Sequence, residues 1–174
     1  MQQTRTTGLY RPEFERDSCG FGLIAQMDNR PSHWLVQTSI AALARLTHRG
    51  AVAADGKSGD GCGLLMQKPD TYLRQVATAA GMTLGEHYGV GMVFLNRDPA
   101  LAEAARADLQ AELEREGLSV AGWRPVPVNA EACGEESRKT QPHIEQLFVN
   151  PPAAMSAEAL ERHLFVARRR ANQR

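Results

Sequence analysis

Cys19 opens the run Cys19-Gly20-Phe21-Gly22-Leu23-Ile24-Ala25, in which two glycines interrupt an otherwise apolar stretch. Short apolar runs bounded by turn or charged signals read as buried strands, and glycine inside one marks the close approach of another backbone or a ligand. A strand from about Cys19 to Met27 is therefore expected, with the thiol facing a pocket. A cut between Ser18 and Cys19 would give this residue both a thiol and a free α-amine. Their reference pKa values, about 8.5 and about 7.7–8, make proton transfer between them nearly thermoneutral, so the pair is a nucleophile carrying its own base. The preceding residues, MQQTRTTGLYRPEFERDS, contain three Arg, two Glu, one Asp and only scattered apolar side chains. They read either as a frayed terminus, the commoner case, or as a propeptide ending at Ser18.

Arg49 is the second candidate. His48-Arg49-Gly50 follows an apolar periodic segment, where basic side chains sit well near exposed helix carbonyls and glycine permits a left-handed closing turn. The loop behind it, GAVAADGKSGDGCG over residues 50–63, has five glycines. Its Gly56-Lys57-Ser58 invites a phosphate-loop reading, but Gly50 and Gly56 stand one residue too far apart for that motif. The required order, strand then loop then helix, is also reversed. His33, His87, His143 and His163 show no paired ligand spacing and read as structural or surface residues.

The elements that must position these groups can be read in order. Asp28-Asn29-Arg30-Pro31 is a turn, and Ser32 caps a helix to about Thr47 whose Leu35, Ile40, Leu43 and Leu46 form one apolar stripe. Cys62 to Met66 reads as a strand returning beside Cys19. Pro69 starts a helix that buries Tyr72, Leu73 and Val76 and stops at Gly81. Tyr88 to Leu95 is a strand. Asp98-Pro99 begins a helix to about Glu116, with Leu101, Ala105, Leu109 and Leu113 inward and Gly117 ending it. Leu118 to Val128 is a strand whose prolines, Pro125 and Pro127, confine its far end to an edge or loop. Residues 129–142 read as irregular, His143 to Val149 as a strand, and a helix from Ser156 as still in progress at Arg174. Arg168-Arg169-Arg170 then reads as a solvated helix end.

Composition closes off several classes. Twenty basic residues balance twenty acidic ones, so no global field draws nucleic acid or an anionic membrane. No apolar run is long enough to span a bilayer or to form a signal peptide. Cys19, Cys62 and Cys133 contain no C-x-x-C pair, which argues against both a disulfide framework and a metal knuckle. A cytoplasmic protein with free thiols is expected.

Taken together, Cys19 to Ala25, Thr47-His48-Arg49-Gly50-Ala51, Gly59-Asp60-Gly61-Cys62-Gly63 and Ile144-Glu145-Gln146-Leu147-Phe148-Val149 resemble, in order and spacing, the region that opens bacterial glutamate synthase large chains. The resemblance runs from Leu9 onward. It implies a class II glutamine amidotransferase domain of the N-terminal-nucleophile type, an α+β four-layer αββα sandwich. Residues 1–18 would then be a propeptide and 19–174 the N-terminal portion of the domain, incomplete at the C-terminus. Cys19 would attack glutamine and release ammonia, and Arg49 would either orient that cysteine and line the pocket or serve only as a helix-end arginine. His48 is expected to pack, and Cys62 to be a buried strand residue. Cys133 has no assigned role.

The same resemblance places the consuming chemistry elsewhere in the parent enzyme. There 2-oxoglutarate would be aminated and reduced on FMN, with a 3Fe-4S cluster and a small NADPH-oxidising subunit carrying FAD as electron sources. The asparagine–glycine pair of the oxyanion hole and the glutamine-anchoring groups lie further along in the relatives, so this chain is expected to be a fragment inactive alone. The alternatives are a non-catalytic remnant of the domain and a small phosphate-binding module.

Overall fold

A computed structural model of the chain describes residues 20–173. It divides into two compact units, Met1–Leu65 and Met66–Arg174.

In the first unit the turn at Asp28–Arg30 puts Asn29 at φ 54°, a conformation asparagine tolerates, and Asp28 Oδ1 accepts from the Arg30 N–H at 3.1 Å. Ser32 then caps helix α1, His33–Ala44, its Oγ accepting from the Leu35 N–H. The expected apolar stripe is only half-buried: Leu35, Leu43 and Leu46 are partly covered, Ile40 is exposed, and α1 has no fully buried residue. Its sequence, HWLVQTSIAALA, is apolar on most of its circumference, so one narrow stripe does not describe it. The expected strands also fail to form. Residues 20–26 and 62–66 belong to no strand among the described residues, Met27 lies in a turn, and Phe21, Leu23, Met27 and Leu65 are exposed. A strand exists only through a partner's ladder, and among the described residues of this unit the pairing is limited to the bridge between Val52 and Gly59.

The second unit is built on a three-stranded antiparallel sheet ordered β1-β3-β2, with β1 at Gly89–Leu95, β2 at Ser119–Pro125 and β3 at His143–Asn150. Gly89 opposes Val149 and Leu95 opposes His143 on one side; Ser119 opposes Asn150 and Pro125 opposes Glu145 on the other, with a bulge between Val120 and Gly122. Pro125 ends β2 at the edge, as its missing donor requires. Central β3 is buried from Glu145 to Val149, so successive side chains enter two different cores. Leu147 and Val149 meet Leu113 of α3 (Pro99–Arg115) and Leu160 and Ala167 of α5 (Ala157–Ala171). Phe148 points the other way, onto Leu73 and Ala77 of α2 (Asp70–Ala79), Met82 and Tyr88.

Several expectations shift here. Tyr72 and Leu101 are exposed, while Ala77, Ala102 and Glu112 take the buried positions. The segment expected to be irregular contains a 3-10 turn, Ala130–Ala132, and helix α4, Glu135–Thr140, with acidic residues in its first turn and basic ones in its last. Helix α5 ends at Ala171 with Asn172 as its cap rather than continuing to the end of the sequence. Its basic end is tied down: His163 and Arg170 both bond the carboxylate of Glu116, which caps α3. Among the described residues no helix is long and apolar enough to cross a membrane.

Candidate active site

The site lies in the first unit. Cys19 is outside the described residues; Gly20, which follows it in the chain, is the first of them. Past α1, the Leu46 N–H donates to Leu43 O at 3.0 Å and the Arg49 N–H to Leu46 O at 2.8 Å, tightening the chain into a 3-10 turn over Thr47–Arg49. Backbone donors thus satisfy the helix end, and Gly50 is extended, at φ −113°, instead of left-handed as expected. His48 is exposed and does not pack, because this short turn swings it away from α1.

The stem of Arg49 lies along the backbone of Gly20. A Cβ placed on Gly20 would stand 3.3 Å from Arg49 Nε and 3.4 Å from Cγ, tighter than ordinary contact, so a residue without a side chain is what admits the arginine here. Among the described residues the guanidinium donates to no helix carbonyl and joins no ion pair. The structure therefore brings Arg49 beside the residue next to Cys19.

The glycine-rich loop closes on itself. Asp55 Oδ1 accepts from the N–H groups of Lys57 at 2.9 Å and Ser58 at 2.7 Å, and Oδ2 accepts from Ser58 Oγ at 2.7 Å. These are the donors a phosphate would need, and a carboxylate of the same chain already occupies them. Below this tip the Ala53 N–H donates to Ser58 O at 2.7 Å, and the two arms meet at their base. There the Ala51 N–H donates to Asp60 Oδ2 at 2.9 Å while the Asp60 N–H returns to Ala51 O at 3.1 Å. Sequence reasoning quoted Asp60 as part of a motif and gave it no role. The available signal was an aspartate set among glycines, but its partner is nine positions away.

Cys62 is exposed and not in a strand, against expectation. Cys133 is half-buried, its Sγ 3.8 Å from Asn129 O. His143 and His163 lie in the second unit against Glu145 and Glu116, at 3.0 and 2.9 Å, and are structural. Among the described residues no group of three His, Cys, Asp or Glu side chains could hold a metal ion.

Charged groups elsewhere serve the fold of the second unit. The Arg106 guanidinium grips Glu145 through two bonds of 2.7 and 2.5 Å, and with His143 it holds this carboxyl below its ordinary range. Burial, with the Asp70 carboxylate at 2.9 Å, pushes the Tyr88 phenol up to about 12. Lys68 Nζ stands 4.0 Å from that ring's centroid and Arg74 Cζ 4.9 Å from it, and Arg74 also donates to Asp70 at 2.9 Å.

The family model for class-II glutamine amidotransferases matches residues 19–174. The chain is 41% identical over 156 residues to ferredoxin-dependent glutamate synthase 2 of Synechocystis, covering 88% of this chain and 10% of that one. It is 37% identical over 171 residues to the glutamate synthase [NADPH] large chain of Bacillus subtilis, covering 98% of this chain and 11% of that one. Against the corresponding large chain of Azospirillum brasilense it is 39% identical over 167 residues, covering 95% and 11%. The chain thus spans about a tenth of the length of these relatives. With the family model covering nearly all of it, the chain belongs to the class-II glutamine amidotransferases.

Proposed function

We propose that this chain is the glutaminase part of a glutamate synthase, with Cys19 as nucleophile once residues 1–18 are removed as a propeptide. The observation that carries the reading is the Arg49 stem lying along Gly20. An arginine needed only at a helix end would bond the last carbonyls, and among the described residues the Arg49 guanidinium bonds none of them. Family membership supplies glutamine as substrate. Cleavage before Cys19 frees the α-amine, which takes the thiol proton as sulfur attacks the side-chain amide carbon. The tetrahedral oxyanion collapses with loss of the C–N bond, the ammonium form of the α-amine returns the proton, and ammonia leaves. Water then attacks the thioester, the C–S bond breaks, and glutamate and the thiol are restored. Arg49 would hold the terminal residue in register.

The domain would complete a four-layer αββα sandwich. The sheet face bearing Phe148 also carries Met92 and Phe94 on β1, both exposed, and a second sheet laid there would cover them. Ammonia would pass to a site in the remainder of the large chain, where 2-oxoglutarate is aminated and reduced. FMN and the 3Fe-4S cluster would belong to that remainder. NADPH, oxidised by a small FAD-bearing subunit, is the inferred reductant, as in the relatives whose names carry it. Three cysteines without a C-x-x-C pair suit a cytoplasmic setting.

Terminal sequencing and intact-mass measurement of the protein from its native host test the first step. The expected mature chain begins at Cys19. One retaining Ser18 would leave the amine acylated and unable to act as base. In the parent enzyme Cys19→Ser is expected to abolish glutamine-dependent synthesis and spare synthesis from added ammonia; equal loss of both would overturn the assignment.

A further inference from the structure

We propose that Asp60 is a positioning residue for the glutaminase reaction, acting through Ala51 to fix the turn that carries Arg49; this rests on the function proposed above. After the 3-10 turn over Thr47–Arg49, the Gly50 N–H still donates to Thr47 O at 3.3 Å. The next donor, the Ala51 N–H, has no position left in the turn, and the Asp60 carboxylate takes it at 2.9 Å. A return bond from the Asp60 N–H to Ala51 O at 3.1 Å makes the contact reciprocal. A single residue therefore fixes both backbone groups of the residue two positions after Arg49, its carboxylate taking the N–H and its own backbone N–H the carbonyl.

The neighbouring glycine shows how close this contact is. A Cβ on Gly59 would stand 2.7 Å from Ala51 O, inside the distance any real Cβ tolerates, so the two arms meet only because Gly59 has none. The strap between them is short and stiff, closed at its tip by Asp55 and along its length by the Val52–Gly59 bridge. A loop wanted only as a connection between α1 and the next segment needs neither feature. Its base stands next to Arg49, and the stem of Arg49 reaches Gly20. Asp60 makes no ion pair with Arg49 among the described residues, so its path to Arg49 runs through the backbone of Ala51.

The test compares Asp60→Ala, Asp60→Asn and Gly59→Ala in the full-length enzyme, with Cys19→Ser alongside. Displacing a catalytic arrangement by about 1 Å costs on the order of a hundredfold in rate. Asp60→Ala is accordingly expected to lower glutamine-dependent turnover at least about tenfold and leave ammonia-dependent turnover and the melting temperature unchanged, and Gly59→Ala, which forces its Cβ against Ala51 O, to lower glutamine-dependent turnover likewise with some fall in melting temperature and ammonia-dependent turnover retained. Asparagine keeps an oxygen that can accept from the Ala51 N–H, so Asp60→Asn should stay within about twofold of the parent. Unchanged glutamine turnover in Asp60→Ala, with Cys19→Ser inactive on glutamine, would overturn the positioning role and leave the proposed function standing. A Cys19→Ser enzyme that still used glutamine would instead remove the reading beneath it. Parallel loss of both activities with a lower melting temperature would reduce Asp60 to a structural residue, and equal damage from asparagine and alanine would exclude a role through the accepted hydrogen bond.

Discussion

Arg49 and Lys at the same position would differ in shape more than in charge. Three atoms of the Arg49 side chain, Nε, Cγ and Cβ, lie 3.3 to 3.6 Å from where a Cβ on Gly20 would stand, and a planar fork beyond that stem can address two acceptors at once. Lysine offers a flexible chain and a point charge. Arg49→Lys in the parent enzyme is therefore expected to lower glutamine turnover more than about tenfold with little change in thermal stability, on the scale that misplacement produces. Steady-state rates on glutamine and on ammonia, beside a melting curve, measure this. Normal turnover with a lower melting temperature would return Arg49 to the helix end. How much of the site was legible in the sequence follows the same residues. Cys19 and Arg49 stood in short motifs whose order carried the resemblance, and Gly20 in the first of them is the residue whose missing side chain admits the arginine. Asp60 was quoted in a motif but gained a role only when folding set it against Ala51, a pairing that no periodicity encodes.

Helix α3 and strand β3 are held together by more than apolar packing. Arg106 reaches across to Glu145 with two bonds, and Glu145 is almost fully buried beside Leu147 and Val149. The carboxyl titrates below its ordinary value of 4.5, chiefly through the Arg106 hydrogen bonds and secondarily through His143, against the opposing effect of burial. A carboxyl whose folded pKa is depressed adds stability above its unfolded value and loses it as pH falls through its folded value. The second unit should therefore lose stability on acidification below about 4.5, and Glu145→Gln should flatten that part of the profile. Melting temperature against pH for the two proteins checks it, and parallel profiles would show that other carboxylates set the acid limit. Arg106→Ala is the harsher change, expected to cost about 3 kcal/mol because it strands a buried carboxylate. The second unit was also the more legible one. Strand β1 was visible as a β-branched and aromatic stretch bounded by turn signals, β3 as a short run between an irregular segment and Pro151-Pro152, and α3 was framed by Asp98, Pro99 and Gly117. Helix α4 was not visible, having six residues and no apolar period, only charges ordered by sign at its two ends. The runs at 20–27 and 62–66 look as strand-like as β1, yet β1 is a strand because β3 lies beside it.

At the scale of the molecule, apolar surface is distributed unevenly. In the first unit Phe21, Leu23, Met27 and Leu65 are 88 to 100% exposed, and Trp34 and Ile40 join them on α1. In the second, Met92 and Phe94 leave part of a sheet face uncovered while β1 remains an unpaired edge of seven residues without a charge. Isolated exposed apolar side chains are ordinary, but several along one segment and a bare uncharged strand edge favour association. The 174-residue chain produced alone should accordingly bind a hydrophobic dye strongly and elute at a size that grows with concentration. It should also fail to release ammonia from glutamine even when Cys19 is terminal. The sequence contains no Asn-Gly pair, and by the family resemblance such a pair supplies the oxyanion donors. Losing even one donor of that kind costs about a hundred- to a thousandfold in turnover. An ammonia-release assay on processed, soluble chain beside the full-length enzyme tests this directly. Turnover in the isolated chain within tenfold of the full enzyme's would mean that residues 19–174 already carry oxyanion donors, and the Arg49 guanidinium beside Gly20 would then be the first place to look for them.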